Sequence, residues 1–107
     1  MLITDIEKLE PVSEWDGTTF QAMTTNLVGD FYAKYCLVVN DRAMFANCKN
    51  ASTDLPNIIV GSQIEDNEVL SVTNKPSTAI SAADPFYIIS PDLKPINGFV
   101  EAFGLTL

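Results

Sequence analysis

Two apolar runs that meet at Asn40-Asp41 constrain the fold more than any other part of the sequence. The first run is Tyr-Cys-Leu-Val-Val (residues 35–39) and the second is Arg-Ala-Met-Phe-Ala (residues 42–46). A short polar pair between β-prone runs is typical of a hairpin turn. A two-residue loop gives these cross-strand pairs: Val39 with Arg42, Leu37 with Met44, and Cys36 with Phe45. Both faces of the hairpin are then apolar, which predicts burial on both sides, within a sandwich or barrel or against another subunit.

The same register separates the two cysteines. Cys48 falls opposite Ala33, three residues along the ladder from Cys36. At about 3.3 Å per residue, that offset exceeds the Cα separation of roughly 7 Å that a disulfide can bridge. We therefore expect two free, mostly buried thiols and a reducing compartment. A different loop length would bring the cysteines together.

Turn signals divide the rest of the chain into short apolar runs. Asp16-Gly17 predicts a turn, in a hairpin or loop, with Trp15 packed on the edge of the core. Residues 47–57 are polar and aperiodic, which predicts a connection. Further strands are predicted at residues 58–61, 69–72, 86–89 and 99–105, with an edge strand at 94–96. Seven to eight short antiparallel strands indicate an all-β fold, either a small β-sandwich or a partly open β-barrel. At this length the chain is a single domain, residues 1–107.

The first residues follow a different pattern. Leu2, Ile3, Ile6 and Leu9 recur at helical spacing among charged residues, and Pro11 follows them. This spacing predicts a short N-terminal arm or helix over residues 1–11, ahead of a β domain over residues 12–107. The segment is too short to be stable alone. It rests either on its own core or on a neighbouring subunit.

Charge and composition restrict the chemistry. The net charge of −8 argues against nucleic-acid binding and against docking on an anionic membrane, whereas a basic protein partner is compatible with it. The sequence has no His, no nucleophile elbow, no Gly-rich phosphate loop and no paired metal-ligand spacing. The acidic run at residues 65–68 is read as a solvated turn. We therefore predict no enzymatic activity, no cofactor, no metal and no small-molecule substrate. No apolar window is long enough for a transmembrane helix, and the N-terminus lacks the features of a secretion signal.

The order of turns and strands resembles that of a known family. The relevant segments are GDFYAKYCLVVNDRAMFAN (residues 29–47), IIVGSQIEDNEVLSV (residues 58–72) and SAADPFYIISPDLKPI (residues 81–96). This layout is similar to that of the decoration, or cement, proteins of tailed-phage capsids. The pentapeptide WDGTT (residues 15–19) also resembles one in lambdoid head-decoration proteins, although it lies nearer the N-terminus here.

The resemblance implies a structural virion protein without catalytic activity. Such a protein binds and stabilises the outer surface of an assembled capsid, with the major capsid protein as its partner and a homotrimer as its oligomeric state. It is made in the host cytoplasm and located on the capsid surface. The candidate interface consists of apolar side chains near the N-terminus: Leu2, Ile3, Ile6, Leu9, Trp15 and Phe20.

Two other functions fit the sequence. A small acidic inhibitor that masks a basic surface of a host protein would use the net charge of −8 for attraction and steering. Its acidic residues are scattered, however, apart from the first 16 residues and the turn at 65–68. A β module of a phage tail or fibre would share the fold and differ in its location.

Overall fold

A computed structural model describes residues 2–39, 41–72, 84–89, 95–96, 101–102 and 105–106. The strands in these ranges are β1 (Leu2–Ile3), β2 (Ser13–Trp15), β3 (Phe20–Ala22), β4 (Phe31–Val39), β5 (Arg42–Asn50), β6 (Thr53–Gly61), β7 (Phe86–Ile89), β8 (Glu101–Ala102) and β9 (Leu105–Thr106). β1–β3 form a three-stranded sheet, β4–β7 form a four-stranded sheet, and β8 pairs with β9. All pairings are antiparallel. The all-β prediction is confirmed, and the two main sheets form an open arrangement rather than a closed barrel.

The central hairpin has the register predicted from its two-residue loop. Val39 pairs with Arg42, Cys36 pairs with Phe45, and Ala33 pairs with Cys48. Asp41 has a φ of 62°, as the tight turns that join antiparallel strands require. Both cysteines are free, as the register predicts.

Burial on both faces of this hairpin is confirmed in its middle and not at its tip. Phe45 and Ala46 point to opposite faces, and both are inaccessible to solvent. Val38, close to the turn, is 64% exposed. The apolar tip therefore borders solvent in the part of the chain that the structure describes.

The prediction of a polar connection at residues 47–57 is wrong. β5 continues to Asn50 and β6 begins at Thr53, so only a two-residue turn separates them. The register between these strands shifts between Ala46 and Cys48, and Asn47 adopts a φ of 57°. Asn47 is buried, and its side chain accepts a hydrogen bond from Lys8 Nζ (2.8 Å) and donates one to Ile96 O (2.9 Å). A polar residue is thus accommodated inside a strand because its hydrogen bonds are satisfied.

The core lies where the two sheets meet. Its largest fully buried side chains include Phe31 from β4, Phe45 from β5, Val60 from β6 and Val12, which directly precedes β2. The rings of Phe31 and Phe45 pack edge to face, with centroids 5.3 Å apart and an interplanar angle of 77°. This geometry is favoured for aromatic pairs.

The helical alternative for the N-terminal arm is wrong. Leu2–Ile3 pair with β2 as the edge strand of the three-stranded sheet, and no helix occurs in residues 2–39. The chain then turns around Asp5, whose carboxylate accepts hydrogen bonds from the backbone N–H groups of Glu7, Leu9 and Glu10. A helix of this length cannot repay its nucleation cost alone, whereas strand pairing lets Leu2 pack against the core.

Residues 69–72 do not form the predicted strand. Leu70 is buried, but its backbone is paired by a side chain: Asn26 Oδ1 accepts from Leu70 N (2.7 Å), and Asn26 Nδ2 donates to Leu70 O (3.0 Å). One amide therefore supplies both hydrogen bonds that a neighbouring strand would supply.

The C-terminal strand predictions have mixed outcomes. β7 matches the prediction for residues 86–89. Pro95 and Ile96 are not in a strand, although Ile96 N donates to Pro56 O at 2.9 Å. The final run contains β8 and β9, two short paired strands, instead of one. Residues 73–83, 90–94, 97–100, 103–104 and 107 lie outside the described residues, as do Met1 and Asn40.

Candidate functional site

The structure brings three of the six predicted interface residues onto one face of the three-stranded sheet. Trp15 and Phe20 are a cross-strand pair, and strand alternation places Ile3 on the same face. Their exposed fractions are 38% for Trp15, 59% for Phe20 and 39% for Ile3. We call Ile3, Trp15 and Phe20 the apolar patch. It is formed by a small, regular sheet and is partly exposed to solvent.

The other three predicted residues are placed differently. Leu2 pairs with Glu14 on the inward face and packs against the core cluster. Ile6 and Leu9 are exposed, but they lie in the turn between β1 and β2, at the opposite end of the sheet from the Trp15–Phe20 pair. The six predicted residues therefore lie in one segment, but strand alternation divides them between two faces and a turn.

The turn between β2 and β3 holds the Trp15–Phe20 pair in place. Gly17 has a φ of 99°, a conformation that glycine adopts without strain. The Asp16 carboxylate accepts hydrogen bonds from Thr18 N (2.8 Å) and Thr19 N (2.7 Å). These bonds, that from Thr19 above all, lower the pKa of Asp16, because they stabilise its charged form. The turn is therefore ordered by its own side chain at neutral pH.

A second surface feature was not identified in the sequence. A groove of about 460 Å³ opens between the inward face of the three-stranded sheet, the tip of the β4–β5 hairpin and the turn at residues 62–69. Its apolar lining comes from Leu2, Trp15, Val38 and Ala43. Its charged lining comes from Glu14, Asp16, Asp41, Glu65 and Asp66, together with Arg42. We call this feature the acidic groove.

One backbone and one side-chain hydrogen bond position the acidic residues of the groove. Glu65 N donates to Asp41 O at 2.6 Å, which joins the 62–69 turn to the hairpin tip. Asn67 Nδ2 donates to Glu14 Oε1 at 2.8 Å, which joins the same turn to β2. The turn at residues 62–69 thus connects both sheets and holds acidic residues from three distant segments at one place.

Like charges lie close together at this boundary. The pKa of Glu68 is raised, first by desolvation and then by the neighbouring charges of Glu14 and Asp66. Arg42, the cation of the groove, lies over the Phe86 ring at 4.8 Å and donates to Asp84 O at 3.3 Å. Its guanidinium is therefore also engaged by the β7 segment.

The cysteines are poor nucleophiles in this fold. Burial raises the pKa of Cys48 to about 12, and burial also raises the pKa of Cys36. A protonated thiol does not act as a nucleophile. Within the described residues, no three His, Cys, Asp or Glu side chains are grouped to hold a metal ion. The described part of the chain also contains no helix long and apolar enough to cross a membrane.

The fold and its two surface features define an all-β protein with the apolar patch and the acidic groove on its surface. In comparisons with family models, curated proteins and solved structures, no match to this chain was found. The resemblance to decoration proteins accordingly rests on the sequence segments quoted above.

Proposed function

We propose that this protein is a structural, non-catalytic virion protein that binds the outer surface of an assembled phage capsid as a homotrimer. The observation that carries the proposal is the apolar patch of Ile3, Trp15 and Phe20. Large apolar side chains clustered at a surface are characteristic of protein-binding sites. Tryptophan is among the residues that contribute most to binding energy at such sites.

The scaffold beneath the patch suits repeated binding to a rigid lattice. Trp15 and Phe20 are held by β-sheet pairing and by the Asp16 turn, so little conformational entropy is lost when they are covered. Covering apolar surface stabilises a complex by roughly 25 cal/mol per Å². A small patch gives weak binding by itself, and three copies in one trimer would strengthen it through multivalency.

The major capsid protein is the partner that this proposal requires. The sequence layout supports that choice, as does the absence of a catalytic motif in the sequence. The net charge of −8 makes nucleic acid and anionic membranes poor partners. We place the protein on the capsid surface after its synthesis in the host cytoplasm.

Co-sedimentation tests the proposal. Particles assembled from the major capsid protein of the same genome are mixed with the purified protein and pelleted. The double variant Trp15→Ser/Phe20→Ser should lose binding by about tenfold or more, because two anchors are removed. Val28→Ser is the matched control, since Val28 is 91% exposed and lies outside the patch. Undiminished pelleting of the double variant would refute a role for the patch.

Light scattering tests the oligomeric state separately. A trimer, or a monomer–trimer mixture that depends on concentration, is expected. A protein that stays monomeric at every concentration, fails to pellet with capsids and co-purifies with one host enzyme would contradict the proposal. That result would favour the acidic inhibitor.

A further inference from the structure

We propose that the acidic groove binds an extended, basic segment of a protein partner. An apolar side chain of that segment would rest on the floor formed by Leu2, Val38 and Ala43, and its Lys or Arg side chains would meet the surrounding carboxylates. The groove lies on the inward side of the three-stranded sheet, and only Trp15 belongs to both surface features. The inference therefore does not depend on the proposed binding of capsids by the apolar patch.

The size and floor of the groove fit a peptide segment. Its volume of about 460 Å³ is within the range of sites that enclose small ligands and side chains, roughly 300 to 1,000 Å³. Val38 is 64% exposed although it lies in β4, within the four-stranded sheet. A side chain of the partner would shield Val38 and the edge of Trp15 from water, which is favourable in proportion to the apolar area covered.

The charges around the floor select a cationic occupant. Five carboxylates, from β2, the β2–β3 turn, the β4–β5 turn and the 62–69 turn, line the groove with a single guanidinium. A cleft lined by one sign of charge concentrates its field and attracts the opposite charge. Like charges already lie together beside the groove, where desolvation and then the charges of Glu14 and Asp66 raise the pKa of Glu68. Lys and Arg side chains would replace that repulsion with attraction.

Other occupants fit less well. The described residues provide no group of three ligands for a metal ion. A second copy of this chain carries 14 acidic against 6 basic residues, so it matches the charge of the groove poorly. Nucleic acids and anionic lipids carry the same sign of charge as the groove. A basic polypeptide in which apolar residues alternate with Lys or Arg fits both the carboxylates of the groove and its apolar floor. Alternate residues of an extended chain point in opposite directions, so each kind of side chain can reach its own part of the groove.

A peptide titration tests the inference on the intact protein. The probe is an acetylated and amidated peptide, Lys-Leu-Lys-Leu-Lys-Leu-Lys, added at physiological ionic strength. Trp15 is the only tryptophan of the chain and lines the groove, so its fluorescence reports binding. We expect saturable binding by this peptide. We expect at least about tenfold weaker binding by Lys-Gly-Lys-Gly-Lys-Gly-Lys, which lacks the apolar side chains.

Paired variants separate the groove from the net charge of the protein. The groove variant is Asp41→Asn/Glu65→Gln/Asp66→Asn, and the control is Glu7→Gln/Glu10→Gln/Asp30→Asn, which removes three exposed carboxylates elsewhere. The groove variant should bind the peptide about tenfold more weakly, and the control should change less than about threefold. Near-UV circular dichroism checks that both variants keep the native fold.

Three results would overturn the inference. Equal weakening in the two triple variants would show attraction to net charge alone and would overturn the inference. An unchanged affinity of the groove variant, or no saturable binding by the wild-type protein, would also overturn it. Phe20 lies in the apolar patch and outside the groove. The Phe20→Ser variant should therefore bind the peptide as tightly as the wild-type protein, whether or not the protein binds capsids.

Discussion

The two main sheets differ in how much of each is buried. The four-stranded sheet contributes Phe31, Phe45 and Val60 to the core, all 2% exposed or less. In the three-stranded sheet, every residue of β3 is exposed, and one face of β1 and β2 carries the apolar patch. The difference suggests a division of labour. We expect the four-stranded sheet to contribute most of the stability, whereas the three-stranded sheet is a surface layer that exposes the apolar patch to solvent.

Individual hydrogen bonds attach the surface layer to the four-stranded sheet. Val12 N donates to Phe31 O at 2.9 Å, and Thr4 Oγ1 donates to Lys34 O at 3.0 Å. Lys8, in the turn between β1 and β2, reaches Asn47 in the bulge of β5. These contacts, together with the burial of Val12, position the layer. Substitutions can show how much of the stability comes from the four-stranded sheet and how much from the contacts that attach the surface layer to it.

The largest effect is expected from Phe45→Ala in the four-stranded sheet. The substitution leaves a cavity beside Phe31 and should lower the free energy of unfolding by about 3–5 kcal/mol. Phe20→Ala in the three-stranded sheet is the matched control and should cost less than about 1 kcal/mol, because Phe20 is already exposed. Urea denaturation measures both. Similar losses in the two variants would contradict the division of labour between the sheets.

The sequence predicts well those elements that form between residues close together in the chain. The β4–β5 register follows from a two-residue turn between apolar runs, because strand pairing next to a tight turn is a local property. The Asp16-Gly17 turn and the strand at residues 86–89 are similarly local. The all-β class and the free cysteines follow from these elements.

The remaining features depend on long-range contacts. In residues 47–57, β5 and β6 continue up to a two-residue turn. The buried side chain of Asn47 is accommodated there because it finds partners at Lys8 and Ile96, which are 39 and 49 residues away in sequence. The strand predicted at 69–72 is absent because Asn26 pairs the backbone of Leu70. The acidic groove joins three turns that were each visible in the sequence as turn signals. Their proximity depends on sheet packing, which residue patterns do not encode locally.

The second prediction concerns that Asn26 pairing. Asn26→Ala removes two hydrogen bonds to the backbone of the buried Leu70 and should cost about 1–3 kcal/mol of unfolding free energy. Amide hydrogen exchange at Leu70 provides a local measurement. Slow exchange at Leu70 in the alanine variant would show that other contacts order this segment.

The third prediction tests the attachment of the surface layer. Lys8 Nζ donates to Asn47 Oδ1 and forms an ion pair with Asp54. Lys8→Met should lower the unfolding free energy by about 1–2 kcal/mol, mainly because the buried Asn47 loses a hydrogen-bond donor. Lys49→Met is the control for loss of one positive charge, since Lys49 lies over the Tyr32 ring within the four-stranded sheet. Equal thermal stability of the two variants would assign the effect to charge and not to the attachment.

The smallest effect, and the only stabilising one, is expected from removing the charge of Glu68, which lies near the carboxylates of Glu14 and Asp66. The raised pKa of Glu68 means that the folded protein holds this proton more tightly than the unfolded chain does. The resulting penalty is fully present above the raised pKa and disappears as the pH falls below the pKa of an unfolded Glu, about 4.3. Glu68→Gln should therefore stabilise the protein at pH 7, by less than ~1 kcal/mol because solvent screens this site. The gain should vanish in acid. Denaturation of both proteins across this pH range measures the difference, and a gain that persists at low pH would show that Glu68 acts through packing and not through its charge.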